Sequence, residues 1–275
     1  MGHPDYEEAE MAVAHSPFGG ALKEARGQHG MSQLTLALEA GVSARHVSFI
    51  ESGRSQPSQP MVLRLAEALD LPLRESNMLL NAAGYAAHYR ERGLEDADLA
   101  PARRVLEMML ERHDPYPALV FNRHWDLMMA NMGAAALTSL LDLPPIDGPA
   151  NLLRLMLDPN QLKPFIENWE AVARDVVLRA RREAEPGDEI AMRLLDEVLA
   201  YPGVPEDWRA PLPEHATEPF LAITFNAGGR RLSWITTVTT FGTPQDITLQ
   251  ELRIESFYPA DDATEKAAKE LADDF

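Results

Sequence analysis

One short stretch of this chain brings together Ser43, Ala44, Arg45, His46 and Ser48, with Gln33 upstream and Arg54 downstream. A guanidinium such as that of Arg45 can bind guanine O6 and N7 bidentately, whereas hydroxyl and imidazole groups serve phosphate and base edges alike. Gln33 falls at the expected start of a helix, where free backbone N–H groups also attract phosphate. Arg26 and Arg54 would add nonspecific attraction. The chemistry these residues suit is the reading of double-stranded DNA. Catalytic sets are absent. His113, His124 and His215 lack metal-like spacing with carboxylates, and no P-loop, GxGxxG or GxSxG occurs. Gly228–Gly229 is poorly placed to cradle phosphate, and Glu167 with Asp175 has helical spacing but no partner.

The DNA-reading residues need a scaffold, and MSQLTLALEAGVSARHVSFIESG (31–53) reads as two short helices around a tight turn. Ser32 caps the first helix, with Leu34, Ala37 and Leu38 expected on one apolar face. Gly41 permits a reversal where a Cβ is expected to clash, and Val42 fills the corner. Ser43 caps the second helix, whose Val47 and Ile50 turn inward and leave Ala44, Arg45, His46, Ser48 and Phe49 outward. Around this pair, Phe18–His29 reads as a helix and Ser55–Pro60 as a loop. A further helix follows Ser58 to Leu69, and another spans Leu73–Ala83 before Gly84. Residues 17–84 thus form an all-α module behind a flexible acidic arm at 1–16.

A formal charge of −18 argues at first sight against a partner made of phosphates. The distribution of that charge matters more. Between Phe18 and Leu80, Lys23, Arg26, Arg45, Arg54, Arg64 and Arg74 balance Glu24, Glu39, Glu51, Glu67, Asp70 and Glu75, a neutral island in an acidic chain. There is no cysteine, which removes disulfides and thiolate metal sites and suits the cytoplasm. No apolar run approaches membrane-spanning length, so no membrane insertion is expected.

A polar connector occupies 85–102, and a second body fills 103–265 ahead of a tail at 266–275. In that body Ala118–Phe121 and Trp125–Ala130 read as strands about a turn at Asn122–Arg123, followed by helix at Asn131–Leu141. Leu162–Glu185 reads as one long helix, and another begins at Asp188. The apolar period then changes to two in Phe220–Asn226, Arg231–Thr240 and Ile247–Phe257, with Gly228–Gly229 as a hairpin turn. Early strands, intervening helices and late antiparallel strands describe one α/β domain in which helices can close a cavity against a sheet.

The first module closely resembles the lambda-repressor-like (XRE-type) helix-turn-helix domain. The pattern stands here as Ser32-Gln33, Leu34, Ala37, Gly41-Val42-Ser43, Val47-Ser48, Ile50-Glu51-Ser52-Gly53 and Pro57-Ser58. The resemblance implies that Gln33 touches phosphate, that Glu51 packs and hydrogen-bonds with it, and that Ala44, Arg45, His46 and Ser48 reach base edges. Further on, NRHWDLMMAN (122–131), NLLRLML (151–157), ENW (167–169) and TTVTTFGTPQDITLQELRIESFYPAD (236–261) resemble the ligand-binding domain of MmyB-like transcription regulators. That resemblance implies a PAS-like fold and a fatty-acyl or similar small ligand. Trp125, Met129, Asn131, Trp169 and Phe241 are candidates for the pocket wall, and Asn168, Arg174 and Arg253 for orienting a carboxylate headgroup.

The expected protein is therefore a cytoplasmic, non-enzymatic transcription regulator that binds double-stranded DNA as a homodimer. It needs no cofactor or metal, and a fatty acid or similar lipid is its small apolar or amphipathic ligand. Two alternatives give the second domain a protein partner without a small ligand, or a catalytic role under the control of the first. A closed apolar cavity marks the sensor, an exposed apolar patch the partner module, and a cleft of convergent ionisable groups the enzyme.

Overall fold

The computed structural model describes residues 17–146, 148–184, 187–210 and 221–273. The expected arm at 1–16, together with Phe220 and His215, lies outside the described residues. The chain divides into two compact units: Met1–Arg92 with Thr243–Gln250, and Gly93–Gly242 with Glu251–Phe275.

Among the described residues the first unit holds five helices before Arg92: α1 (Pro17–Gln28), α2 (Gln33–Glu39), α3 (Ala44–Glu51), α4 (Gln59–Ala68) and α5 (Leu73–Ala82). Capping sets the two central helices. Ser32 Oγ accepts from Thr35 N at 3.0 Å and Ser43 Oγ from His46 N at 3.2 Å, satisfying N–H groups that a helix start leaves open. Leu22, Leu36, Ala37, Val47, Ile50, Val62, Leu65 and Leu80 form the core. The expected apolar face of α2 is corrected by burial. Leu34 and Leu38 are 60% and 71% exposed; Ala37 turns inward as expected, and Leu36 and Ala40 join it in their place. Gly41 is also corrected: an added Cβ would meet no described atom, and the requirement is its φ of +64°.

In the second unit α6 (Ala100–His113) precedes β1 (Ala118–Phe121) and β2 (Leu127–Ala130). The turn between those strands is built by Asn122, whose Oδ1 accepts the N–H groups of His124 and Asp126, and it carries Trp125 at a φ of +67°. Then come α7 (Met132–Ser139), α8 (Leu152–Leu157), α9 (Trp169–Glu183) and α10 (Glu189–Val198), all between β2 and β3 (Ala222–Ala227). β4 (Arg230–Thr239) follows through the Gly228–Gly229 turn. β5 (Arg253–Pro259) and α12 (Asp262–Asp273) end the described chain, with α11 (Ile247–Glu251) lying before β5. The sheet is antiparallel throughout, in the order β2-β1-β5-β4-β3. Phe121, Trp234 and Phe257 on one sheet face pack with Leu153, Leu157 and Val177 into the main core.

Several expected elements differ. The strand expected over Trp125–Ala130 begins at Leu127 because Trp125 lies in the turn, and the loop expected over Ser55–Pro60 gives way to helix at Gln59, where Pro60 fits the first turn. The single helix over Leu162–Glu185 is broken, because Ile166 is buried and pairs with Phe225 as an isolated bridge while Glu167 N donates to Thr224 O at 2.8 Å. Helix resumes only at Trp169, and Glu185 lies outside the described residues. The strand expected over Ile247–Phe257 begins at Arg253. Before it, Asp246 Oδ1 accepts Thr248 N at 3.0 Å and starts a helical turn. At the other end, α12 runs past Glu265 and buries Ala267 and Ala268 in the main core.

Close helix crossing makes one glycine indispensable. A Cβ on Gly19 would stand 2.4 Å from Glu51 O and 2.9 Å from Ile50 O, where α1 meets α3, whereas one on Gly20 meets no described atom. Gly19→Ala is expected to cost about 1–3 kcal/mol of stability, read as a lower urea midpoint by circular dichroism. Gly20→Ala should be neutral or slightly stabilising. Equal midpoints for the two variants would refute the close crossing.

Candidate nucleic-acid interface and ligand-domain charge cluster

Of the candidate DNA contacts, Ser43, Ala44, Arg45, His46, Ser48 and Arg54 lie on and beside α3, and Gln33 at the start of α2. Val47 and Ile50 are buried, so the opposite edge of the helix faces outward. Ser43, Arg45 and Arg54 are exposed, and Ala44, His46 and Ser48 half-buried. Phe49 organises the cations. Its ring lies 5.0 Å from the Arg45 guanidinium carbon and 5.9 Å from that of Arg54. The helical spacing of Arg45 and Phe49 was available in the sequence, but a positioning role for the phenylalanine went unread there.

Behind this edge, Glu51 ties three helices together. Its side chain is 5% exposed and accepts Arg26 Nε at 2.6 Å and Nη2 at 3.1 Å, together with Gln33 Nε2 at 2.7 Å. The hydrogen bond to Glu51 raises the Arg26 pKa above its ordinary value against a contrary desolvation. Arg26 is thus a structural clamp, which corrects its assignment to nonspecific attraction. Gln33 directs an amide N–H at Glu51, and this holds its side chain at the start of α2.

The expected ligand residues do not form one group. Asn131 caps α7: its Oδ1 accepts Ala118 N and Ala134 N, and its Nδ2 donates to Tyr116 O and Leu110 O. Asn168 joins α9 to β3, donating to Ala222 O and accepting from Thr224 N. Trp169 donates to Met156 O, stacks on Trp208 and carries Lys163 Nζ 3.7 Å above its ring. Met129 pairs with Val120 in the sheet, and Phe241 is half-buried just past β4. An open groove of about 290 Å³ is lined by Asn151, Arg154, Asp158, Gln161 and Tyr201 among others, and by none of the expected ligand residues.

Trp125 and Arg253, however, belong to one partly buried ionic cluster. Arg179 on α9 lies 4.7 Å above the Trp125 ring and 3.8 Å from Glu255 Oε2 on β5, and Arg253 Nε lies 3.2 Å from Glu183. Burial pushes the Glu255 carboxyl up, with Arg179 and Thr236 opposing. Arg179 Nε and Glu183 Oε2 are buried without a hydrogen-bond partner among the described residues. Asp175, Arg179 and Glu183 recur every four residues and so share one helix face, from which Arg174 is offset. That spacing was the legible signal for Arg179, which sequence reading passed over.

A second ionic group starts α10. Asp188 caps the helix through Ile190 N and Ala191 N, and it pairs with Arg123 and with His124 Nε2. Arg123 also holds Glu251 at 3.1 Å. Among the described residues no group of three or more metal-ligating side chains is placed to hold an ion. No helix there is long and apolar enough to cross a membrane.

The family model described as "MmyB-like transcription regulator ligand binding domain" matches residues 102–271, and a helix-turn-helix model matches residues 22–76. A protein of Methanococcoides burtonii, provisionally named an HTH-type transcriptional regulatory protein, is 33% identical over 113 residues, which are 41% of this chain and 32% of that relative. The chain therefore spans about a third of the length of the curated relative it matches. Among solved structures, the restriction-modification controller protein C.AhdI from Aeromonas hydrophila is 37% identical with a TM-score of 0.22. That match covers 24% of this chain and 98% of the controller. The clp gene regulator ClgR from C. glutamicum is 25% identical with a TM-score of 0.23, covering 27% and 92%.

Burial opposes ionisation of Asp188, but the Ala191 N–H, Arg123 and His124 outweigh it and hold the carboxyl at about 2 against an ordinary 3.8. A depressed carboxyl stabilises the fold above its unfolded pKa and loses that contribution as pH falls through the folded value. Asp188→Asn should therefore be about 2 kcal/mol less stable than the parent at neutral pH. In urea titrations the gap should close between pH 3.8 and about 2. A gap independent of pH would contradict this.

Proposed function

Since the chain belongs to the MmyB-like transcription regulators, we propose that it binds operator DNA as a symmetric dimer and senses a small apolar or fatty-acyl ligand. Its coarse identity is a helix-turn-helix DNA-binding regulator, not an enzyme, with a ligand-binding-type C-terminal domain. The observation that carries the DNA reading is the outward edge of α3, where Phe49 aligns Arg45 and Arg54 and the buried Glu51 network fixes the helix. Arg45 reads a guanine, Ser43, Ala44, His46 and Ser48 line base edges or phosphates, and Gln33 and Arg54 hold the backbone. Two modules on adjacent half-sites supply the area that one module lacks. The setting is the cytoplasm.

The C-terminal unit is PAS-like. Support comes from the antiparallel order β2-β1-β5-β4-β3 with, among the described residues, four α-helices between β2 and β3. Its ligand presents a carboxylate to Arg179, whose buried Nε has no acceptor among the described residues, while Trp125 and Arg253 border the same cluster. Ligand occupancy shifts the population of DNA-competent states. One feature favours the alternative of a protein partner: Val105, Met108 and Met109, on one face of α6, are 44%, 40% and 37% exposed.

Arg45→Ala is expected to cost roughly 1–3 kcal/mol on the selected operator and little on random duplex. Fluorescence anisotropy on both DNAs decides, and an equal loss on each sinks the base-reading role. For the ligand, native mass spectrometry of the purified protein should detect a bound carboxylic acid. Arg179→Gln should weaken it by about tenfold, as loss of a charged hydrogen bond implies. An empty protein that instead retains a polypeptide on α6 would support the partner module.

A further inference from the structure

The connection between β4 and β5 does not behave as a hairpin loop. Antiparallel neighbours usually join through a few residues, yet here the chain runs from Thr240 to Leu252, and its middle, Thr243–Gln250, belongs to the DNA-binding unit. The segment is tied there by specific bonds. Asp246, 3% exposed, accepts Arg92 Nη1 at 2.8 Å, and Thr248 Oγ1 donates to Arg92 O at 2.6 Å. Ile247 N donates to Arg90 O at 2.9 Å, and the Ile247 side chain is itself 3% exposed. Gln250 Oε1 accepts Leu73 N at 2.7 Å. That last bond caps α5, whose own N-cap residue, Pro72, has no polar side chain.

The residues that follow are anchored to different partners. Glu251 pairs with Arg123, which also holds Asp188 at the start of α10. Arg253 pairs with Glu183 in the cluster that contains Arg179 and Glu255. Only Glu251 and Leu252 separate the residue that caps α5 from an arginine of the proposed headgroup site. Short, hydrogen-bonded chain of this kind transmits displacement because it has little slack to absorb it.

We propose that Thr243–Gln250 is an intramolecular clasp, through which movement at the start of β5 alters the capping of α5 and hence DNA affinity. The clasp also grips Arg90 and Arg92, so the polar connector and the β4–β5 connection act together. This regulation rests on the sensor reading above, with Arg253 as its point of entry.

The test uses the full chain, a duplex selected by the protein from a random pool, and palmitate as the probe ligand. In the parent, palmitate should change DNA affinity by at least about fivefold. In Gln250→Ala, and in the milder Thr248→Val, the change should fall below about twofold while native mass spectrometry shows palmitate still bound. Hydrogen exchange at the amides of residues 73–76 should accelerate by about fivefold in Gln250→Ala without palmitate. Unchanged exchange together with an undiminished palmitate response overturns the clasp. A parent indifferent to palmitate overturns the sensor reading instead. The clasp then stands if Gln250→Ala accelerates exchange and changes ligand-free DNA affinity, and falls if it does neither.

Discussion

A nearly dry carboxylate holds the DNA-binding edge in place. Glu51 sits at the end of α3 and collects charge-assisted bonds from Arg26 on α1 and an amide bond from Gln33 on α2. Burying an ion pair is no automatic gain, since desolvation offsets most of the Coulomb attraction. Its value here is directional. Three helices of modest length, which alone would be marginal in water, are fixed in mutual orientation by one side chain whose acceptor capacity is nearly filled. Gly19 permits the same approach from the backbone side, and Phe49 carries the resulting rigidity outward to two guanidinium groups. Removing either the charge or the space would blur the positions of the outward side chains of α3.

The first module was largely legible because its signals are local. Ser32 and Ser43 sit at helix starts, Gly41 and Gly84 at positive φ, and Pro57 in the loop before α4, whose first turn takes Pro60. Leu34 and Leu38 were misread because a helix of seven residues carries too few positions to fix which stripe is inward. Long-range effects were the harder ones. Nothing near Ile166 announces that pairing with Phe225 interrupts a helical pattern, and the alternation after Ile247 conceals a turn started by Asp246. In both places tertiary partners, absent from any local window, outweighed propensity.

The candidate ligand site shows the same division between local and distant information. Asn131, Asn168 and Trp169 looked functional because polar or aromatic groups in an apolar setting attract attention, yet each has backbone partners that account for it. Buried polar groups are normally satisfied. Against that background the exceptions become informative, and Arg179 Nε and Glu183 Oε2 are exceptions on one face of one helix. Trp125, held at a left-handed backbone angle by the Asn122 turn, lies beneath the same arginine. The opposing charges of Glu255 and Glu183 keep the arginines from being a simple anion trap, so a carboxylate entering there would compete with carboxylates already present.

The bond from Leu73 N to Gln250 spans 177 positions of sequence. On the ribosome the helical bundle emerges first and can collapse alone, because its contacts are short-range. Its last fastening arrives only after β4 has been synthesised. A nascent or prematurely terminated polypeptide would thus carry a helix-turn-helix unit with the start of α5 unsealed. Completion of the helix-turn-helix unit therefore waits on translation of most of the C-terminal unit.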